Sequence, residues 1–200
     1  MLEINDLANA SIVKMLIGTC FFEEKQYNAA KKYAVKALNT AKDVNYLFAK
    51  GYSYHLLAKL QIEKYKQHKD NNNNYLDSAK NLFFKTESIA QKISNKDGIV
   101  RGYIGMAEVE FLKKNYTQSL ILYKRADSIS SIIKSLQLKN ETQKGIADSY
   151  ERLGFTNQAL HHFKIHKSIN DSMKNIETLN NIQEIEAENE LTKQKQKIKA

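Results

Sequence analysis

The chain has 200 residues, no proline, seven glycines and one cysteine, with a formal net charge of +9 at pH 7. So few helix breakers leave helix as the dominant state, and a single cysteine excludes an internal disulfide framework and a cysteine-rich zinc site. The charge is weak support for nucleic-acid binding: Lys193, Lys195, Lys197 and Lys199 supply four of the nine excess charges, and nothing interleaves arginine with exposed aromatics in a loop or recognition helix.

From the N-terminus, a helix is expected over about 9–24. Ile17, Gly18 and Phe21 recur on one face of a 3.6-residue period, and Cys20, beside Phe21, reads as a buried structural thiol. A partner helix over 27–42 carries Tyr27, Ala30, Ala34, Ala37 and Leu38 in one stripe. The next pair carries Tyr54, Leu57 and Ala58, then Leu76, Ala79, Phe83 and Thr86. Between its helices lies the run Tyr65–Asn74, rich in Asn and read as a solvated surface insertion. The third pair is expected to open after Asn95-Lys96-Asp97-Gly98, with Gly98 ending one helix and Asp97 capping the next. It continues with Tyr103, Met106, Ala107 and Phe111, turns at Lys114-Asn115, and runs through Tyr116, Ser119, Tyr123 and Ala126. The fourth carries Ile146, Ala147, Tyr150 and Leu153, turns at Gly154, and resumes with Ala159, Phe163 and His166.

The small residues Ala30, Ala79, Ser119 and Ala159 are separated by 49, 40 and 40 positions. Four residues beyond each stand Ala34, Phe83, Tyr123 and Phe163. A two-helix repeat of this length means an all-α solenoid whose units bury their faces only against neighbours, with small residues at the helix crossings. The units fall near 9–44, 45–94, 97–131 and 134–170, giving a solenoid over 1–170. From 171 to 200 a capping helix is expected, with Met173, Ile176, Leu179, Ile182 and Ile185 at three-residue steps before a polar connector or coiled coil. The chain stops at Ala200 inside this polar pattern without a stop signal, so it reads as a piece of a larger protein.

Over about 9–170 these residues resemble the tetratricopeptide repeat family. The matching positions are Gly18, Phe21, Ala30 and Ala37; Tyr54, Leu57, Ala58, Ala79 and Phe83; Tyr103, Met106, Ala107, Tyr123 and Ala126; and Ala147, Tyr150, Gly154, Ala159 and Phe163. The chain departs from the pattern at Lys14 and Gln143, at Gln61 and Glu110, and at Thr86 and His166. The 40-residue period resembles the longer-helix branch found in bacterial signalling and regulatory arrays. The resemblance implies a right-handed superhelix that binds a protein or peptide on its concave face, not a small-molecule substrate. It places Tyr52, His55, Lys59, Arg101, Ile104, Glu108, Lys144 and Asp148 on that face. It also suggests self-association through the C-terminal helix and a membrane tether beyond Ala200, which leaves cytoplasm and periplasm both open.

No phosphate loop or His-Glu-x-x-His motif occurs, so no enzyme activity, cofactor or metal is expected. The rival reading uses His161, His162 and His166, of which His162 and His166 share a helix face and could hold a metal. A second rival is nucleic-acid binding through the Lys-rich tail.

Overall fold

The structure, a computed structural model, describes residues 2–67 and 73–199, with side chains described over 5–67 and 73–189. Eight helices follow one another: α1 Leu2–Glu23, α2 Tyr27–Asp43, α3 Leu47–Gln67, α4 Asn73–Lys92, α5 Lys96–Leu112, α6 Tyr116–Ile133, α7 Leu136–Arg152 and α8 Thr156–Lys199. Each packs on the next in sequence, and the first helices of adjacent units (α1, α3, α5 and α7) also touch one another. This is an all-α helical-repeat solenoid of four helix pairs.

The tight turns rarely use glycine. Lys25, Asn45, Ser94, Lys114, Lys134 and Gly154 all take positive φ, between 51° and 81°. Five of these turns close with the same pair of backbone bonds. In the first, Gln26 N donates to Phe21 O at 2.8 Å while Lys25 N donates to Phe22 O at 2.9 Å; Tyr46, Asn95, Asn115 and Phe155 repeat the five-residue bond made by Gln26. These are Schellman closures, which satisfy the orphan carbonyls at a helix end. The exception is the α6–α7 turn, where Ser135 caps α7 by accepting from Leu138 N at 3.4 Å.

Two expectations are corrected at the start of α5. The preceding helix is stopped by Ser94, not by Gly98, and the cap is Asn95, whose Oδ1 accepts from Gly98 N at 3.1 Å. Gly98 lies inside α5 because a Cβ there would stand 2.8 Å from Ala90 Cβ: the glycine serves close approach of α4, not a turn. The insertion is also shorter than expected, since Tyr65–Gln67 extend α3 and Asn73–Asn74 begin α4. Residues 68–72 lie outside the described residues.

The core is a series of joints between a second helix and the first helix that follows it. Phe83 of α4 lies against Gly105 of α5, where an added Cβ would come within 2.3 Å of its ring; Tyr123 of α6 lies against Gly145 of α7, with the corresponding distance 2.2 Å. At the first joint the volumes are exchanged. Ala34, fully buried, takes the place of the ring, and buried Leu56 takes the place of the glycine. Buried polar groups are paired between the two helices of a unit: Thr86 Oγ1 donates to Gly51 O at 3.2 Å and Ser119 Oγ to Ala107 O at 2.9 Å. Glu110, 3% exposed, is held by Lys80 of α4 and by Asn115 Nδ2 at 2.8 Å.

The ends of the array show what the joints cover. In α5 and α7 the residues facing the preceding unit are buried: Gly98, Gly102, Gly105 and Val109, then Leu138, Thr142, Gly145 and Ser149. Their counterparts in α1 are Asn9, Val13, Leu16 and Cys20, and all four are exposed. Cys20 is therefore not the buried thiol the sequence suggests: among the described residues no helix covers that face of α1. At the other end Phe163, counterpart of Phe83 and Tyr123, is 53% exposed. The segment expected as a capping helix is continuous with the fourth unit. After Gly154 the chain has neither glycine nor proline, and α8 continues from the fourth unit through 171 to Lys199 without a break.

Candidate functional site: the concave groove

The first helices wall a groove of about 380 Å³. Met15, Leu16 and Thr19 of α1, Tyr52, His55, Leu56 and Lys59 of α3, Arg101, Ile104, Gly105 and Glu108 of α5, and Gln137 and Glu141 of α7 line it, together with Glu23 and Phe83. Six residues expected on this face, Tyr52, His55, Lys59, Arg101, Ile104 and Glu108, meet there. Lys144 and Asp148 of α7 are not among the residues that line it. Phe83 belongs to a second helix and reaches the groove because Gly105 leaves no side chain in front of it. The signal for it in the sequence was a glycine on a first helix opposite an aromatic on the preceding second helix.

Asp97, one turn before Arg101, organises the middle of the groove. Arg101 Nε donates to Asp97 Oδ2 at 2.7 Å and Arg101 Nη2 to Oδ1 at 3.4 Å, while the Tyr52 hydroxyl donates to Oδ2 from the neighbouring unit. Burial opposes the Asp97 charge, but the bonds from Arg101 and Tyr52 outweigh it and hold the carboxyl below its ordinary range. Burial likewise opposes the Arg101 charge, and the bond to Asp97 outweighs it and raises its pKa. Burial raises Tyr52, and the bond to Asp97 raises it further. The three groups therefore form a fixed bridge between units two and three, with Phe48 packed at 4.7 Å on the Tyr52 ring.

His55 stands edge-on to Phe83 at 5.6 Å. Burial, with the nearby charges of Arg101 and Lys59, pushes its pKa down to about 3 against the opposing pull of Asp97, so the ring is neutral at physiological pH. Lys59 Nζ lies 4.2 Å over the Phe22 ring and 3.5 Å from the exposed Glu23 carboxylate. On the far side Glu108 pairs with Lys66 at 3.3 Å. Burial raises Tyr123, and the charges of Glu108, Asp148 and Glu141 raise it further, so it remains a neutral phenol. The groove thus has an apolar N-terminal end, a cationic middle and an acidic C-terminal end. Its floor is formed by Leu56, Phe83 and Ile104 beside the Tyr52–Asp97–Arg101 bridge, and its rims carry both signs of charge.

The histidine cluster does a different job. His162 Nδ1 is 2.7 Å from Gln143 Oε1 and the ring stacks on Tyr150 at 5.6 Å; His166 Nδ1 is 3.2 Å from Asn140 O. Both rings tie α8 to α7. No group of three or more His, Cys, Asp or Glu arranged to hold a metal ion occurs among the described residues. No helix among them is long and apolar enough to cross a membrane.

The fold and groove define the class: a helical-repeat solenoid with a concave, mixed-charge surface. No family model matches the sequence, and no curated protein matches it. Among solved structures the fold is similar to that of BtubC (BKLC) from P. vanneervenii, with a TM-score of 0.65 and 12% identity over 82% of this chain. The chain spans 64% of the length of BtubC. At that identity the likeness concerns the fold.

Proposed function

We propose that the chain is a protein-interaction module of the tetratricopeptide-repeat type, a scaffold or sensor element of a larger signalling protein that holds a peptide segment in its concave groove. It works by binding and catalyses no reaction. The observation that supports this reading best is the floor shared by units two and three. Tyr52, Asp97 and Arg101 are locked to one another across a unit boundary, and neutral His55 and the Phe83 ring lie beside them. A rigid aromatic and Arg anchor set beside an apolar floor fits an extended or helical peptide, and the change of charge along the groove would set its direction.

Selection of peptides from a display library on the full chain tests this. Enriched peptides should bind in fluorescence anisotropy and lose about tenfold or more affinity in Tyr52→Ala and Arg101→Ala, with helicity unchanged. Enrichment of no sequence, or full affinity in both variants, would overturn the reading.

A further inference from the structure

Beyond the fourth unit, α8 presents apolar side chains that no described residue of its own chain covers: Ile176 is 48%, Leu179 59%, Ile182 47% and Ile185 58% exposed. Their three-residue spacing decides what can cover them. Each step of three falls about 60° short of a full turn, so from Met173 to Ile185 the stripe winds about 240° around the helix. A two-helix seam needs a 3.5-residue period and would leave most of this stripe in water. A concave surface walled by several helices covers a winding stripe. Along α8 the apolar run leads into Glu184 and Glu186; along the groove the apolar end at Met15 and Leu16 leads into Lys59 and Arg101. The apolar stretch and the charged stretch that follows it therefore come in the same order in the two surfaces, with Glu184 and Glu186 opposite in sign to Lys59 and Arg101, and the acidic wall of Glu108 and Glu141 lies beyond them. With no glycine or proline after Gly154, α8 is one unbroken rod and does not fold back into its own groove.

We propose that the concave groove receives the C-terminal half of α8 from a second copy of this chain. This rests on the reading of the groove as a peptide-holding surface and names its occupant. Ile176, Leu179 and Ile182 meet the apolar end of the groove, and Glu184 and Glu186 meet Lys59 and the outer edge of Arg101. Neutral His55 adds no charge that the incoming helix would have to match.

Sedimentation and light scattering of the full chain over a range of concentrations read this out. The chain should self-associate. Leu16→Asp with Lys59→Glu in the groove, and Ile182→Asp with Ile185→Asp on the helix, should each weaken association about tenfold or more. Mixing the two disabled proteins should restore a one-to-one complex, since each supplies the surface the other lacks, and Lys59→Glu should be rescued by Glu184→Lys with Glu186→Lys. Loss of association in the helix variant but not in the groove variant would mean that α8 pairs with α8, and would overturn the proposal. A monomeric chain at every concentration would overturn it too. In that case selection of peptides by the helix variant, whose groove is intact, would leave the groove reading standing; absence of selection would remove both.

Discussion

The first joint of the array and the two that follow reach the same packing from opposite directions. Between units two and three, and between three and four, a ring on the second helix (Phe83, Tyr123) fills the space vacated by a glycine on the next first helix (Gly105, Gly145). Between units one and two the second helix supplies Ala34 and the following first helix supplies Leu56. What is kept is the summed volume at the crossing, as close packing requires, and not the residue at either position. The contrast has a functional side. Gly105 opens the groove floor to Phe83, whereas Leu56 closes it, so the inverted joint makes one end of the groove aliphatic and the middle aromatic.

Breaking a joint from the side of the ring should have the largest effect. Phe83→Ala empties a fully buried ring site with glycine opposite, where nothing moves in to fill it, and should cost about 4 kcal/mol in urea unfolding. Breaking it from the side of the glycine should cost somewhat less. Gly145→Leu drives a side chain into the Tyr123 ring, and a loss of about 3 kcal/mol is expected from the same measurement. The matching change at the inverted joint, Leu56→Ile, keeps the volume and should cost less than about 1.5 kcal/mol.

Two smaller effects sharpen the account outside the joints. The Glu110 carboxyl is held below its ordinary 4.5: burial opposes the charge, but the bonds from Lys80 and Asn115 outweigh it. A depressed folded pKa gives stability that is fully present above the unfolded value and is lost as pH falls through the folded one. The wild type should therefore lose more stability on acidification than Glu110→Gln, and equal slopes in pH-dependent melts would remove Glu110 from the account. The smallest effect is expected at the turns. Lys25 holds φ at 60° on an exposed position, and Lys25→Gly should raise stability by up to about 1 kcal/mol by relieving left-handed strain, less the entropy glycine adds to the unfolded chain.

The small-residue anchors made the helix pairs legible in the sequence: the second helix expected over 27–42 is Tyr27–Asp43. The turns were harder to read, because five of the six left-handed residues are Lys, Asn or Ser and the glycines serve helix crossings instead. Gly98 was misread as a stop for that reason. Cys20 was misread because periodicity along one helix does not tell which of its faces a neighbouring helix covers. Most of the groove was legible, since counting along each first helix put Tyr52, His55, Lys59, Arg101, Ile104 and Glu108 on one face. The same counting on α7 gives Lys144 and Asp148, whereas the α7 residues that line the groove are Gln137 and Glu141. Asp97, which locks Tyr52 to Arg101, was read as a cap, and only the geometry of two adjacent units brings the three together.

The direct test of volume matching at the joints is a double-mutant cycle that turns the first joint into a copy of the second, with Ala34→Phe and Leu56→Gly made singly and together. Each single change breaks the match, by overpacking or by a cavity, and should destabilise the chain in urea unfolding. Matched volumes predict that the double variant is more stable than the sum of the singles allows, with a favourable coupling of about 1 kcal/mol or more. Additivity within about 0.5 kcal/mol would contradict it, and would mean that the ring and the glycine are neighbours without being partners.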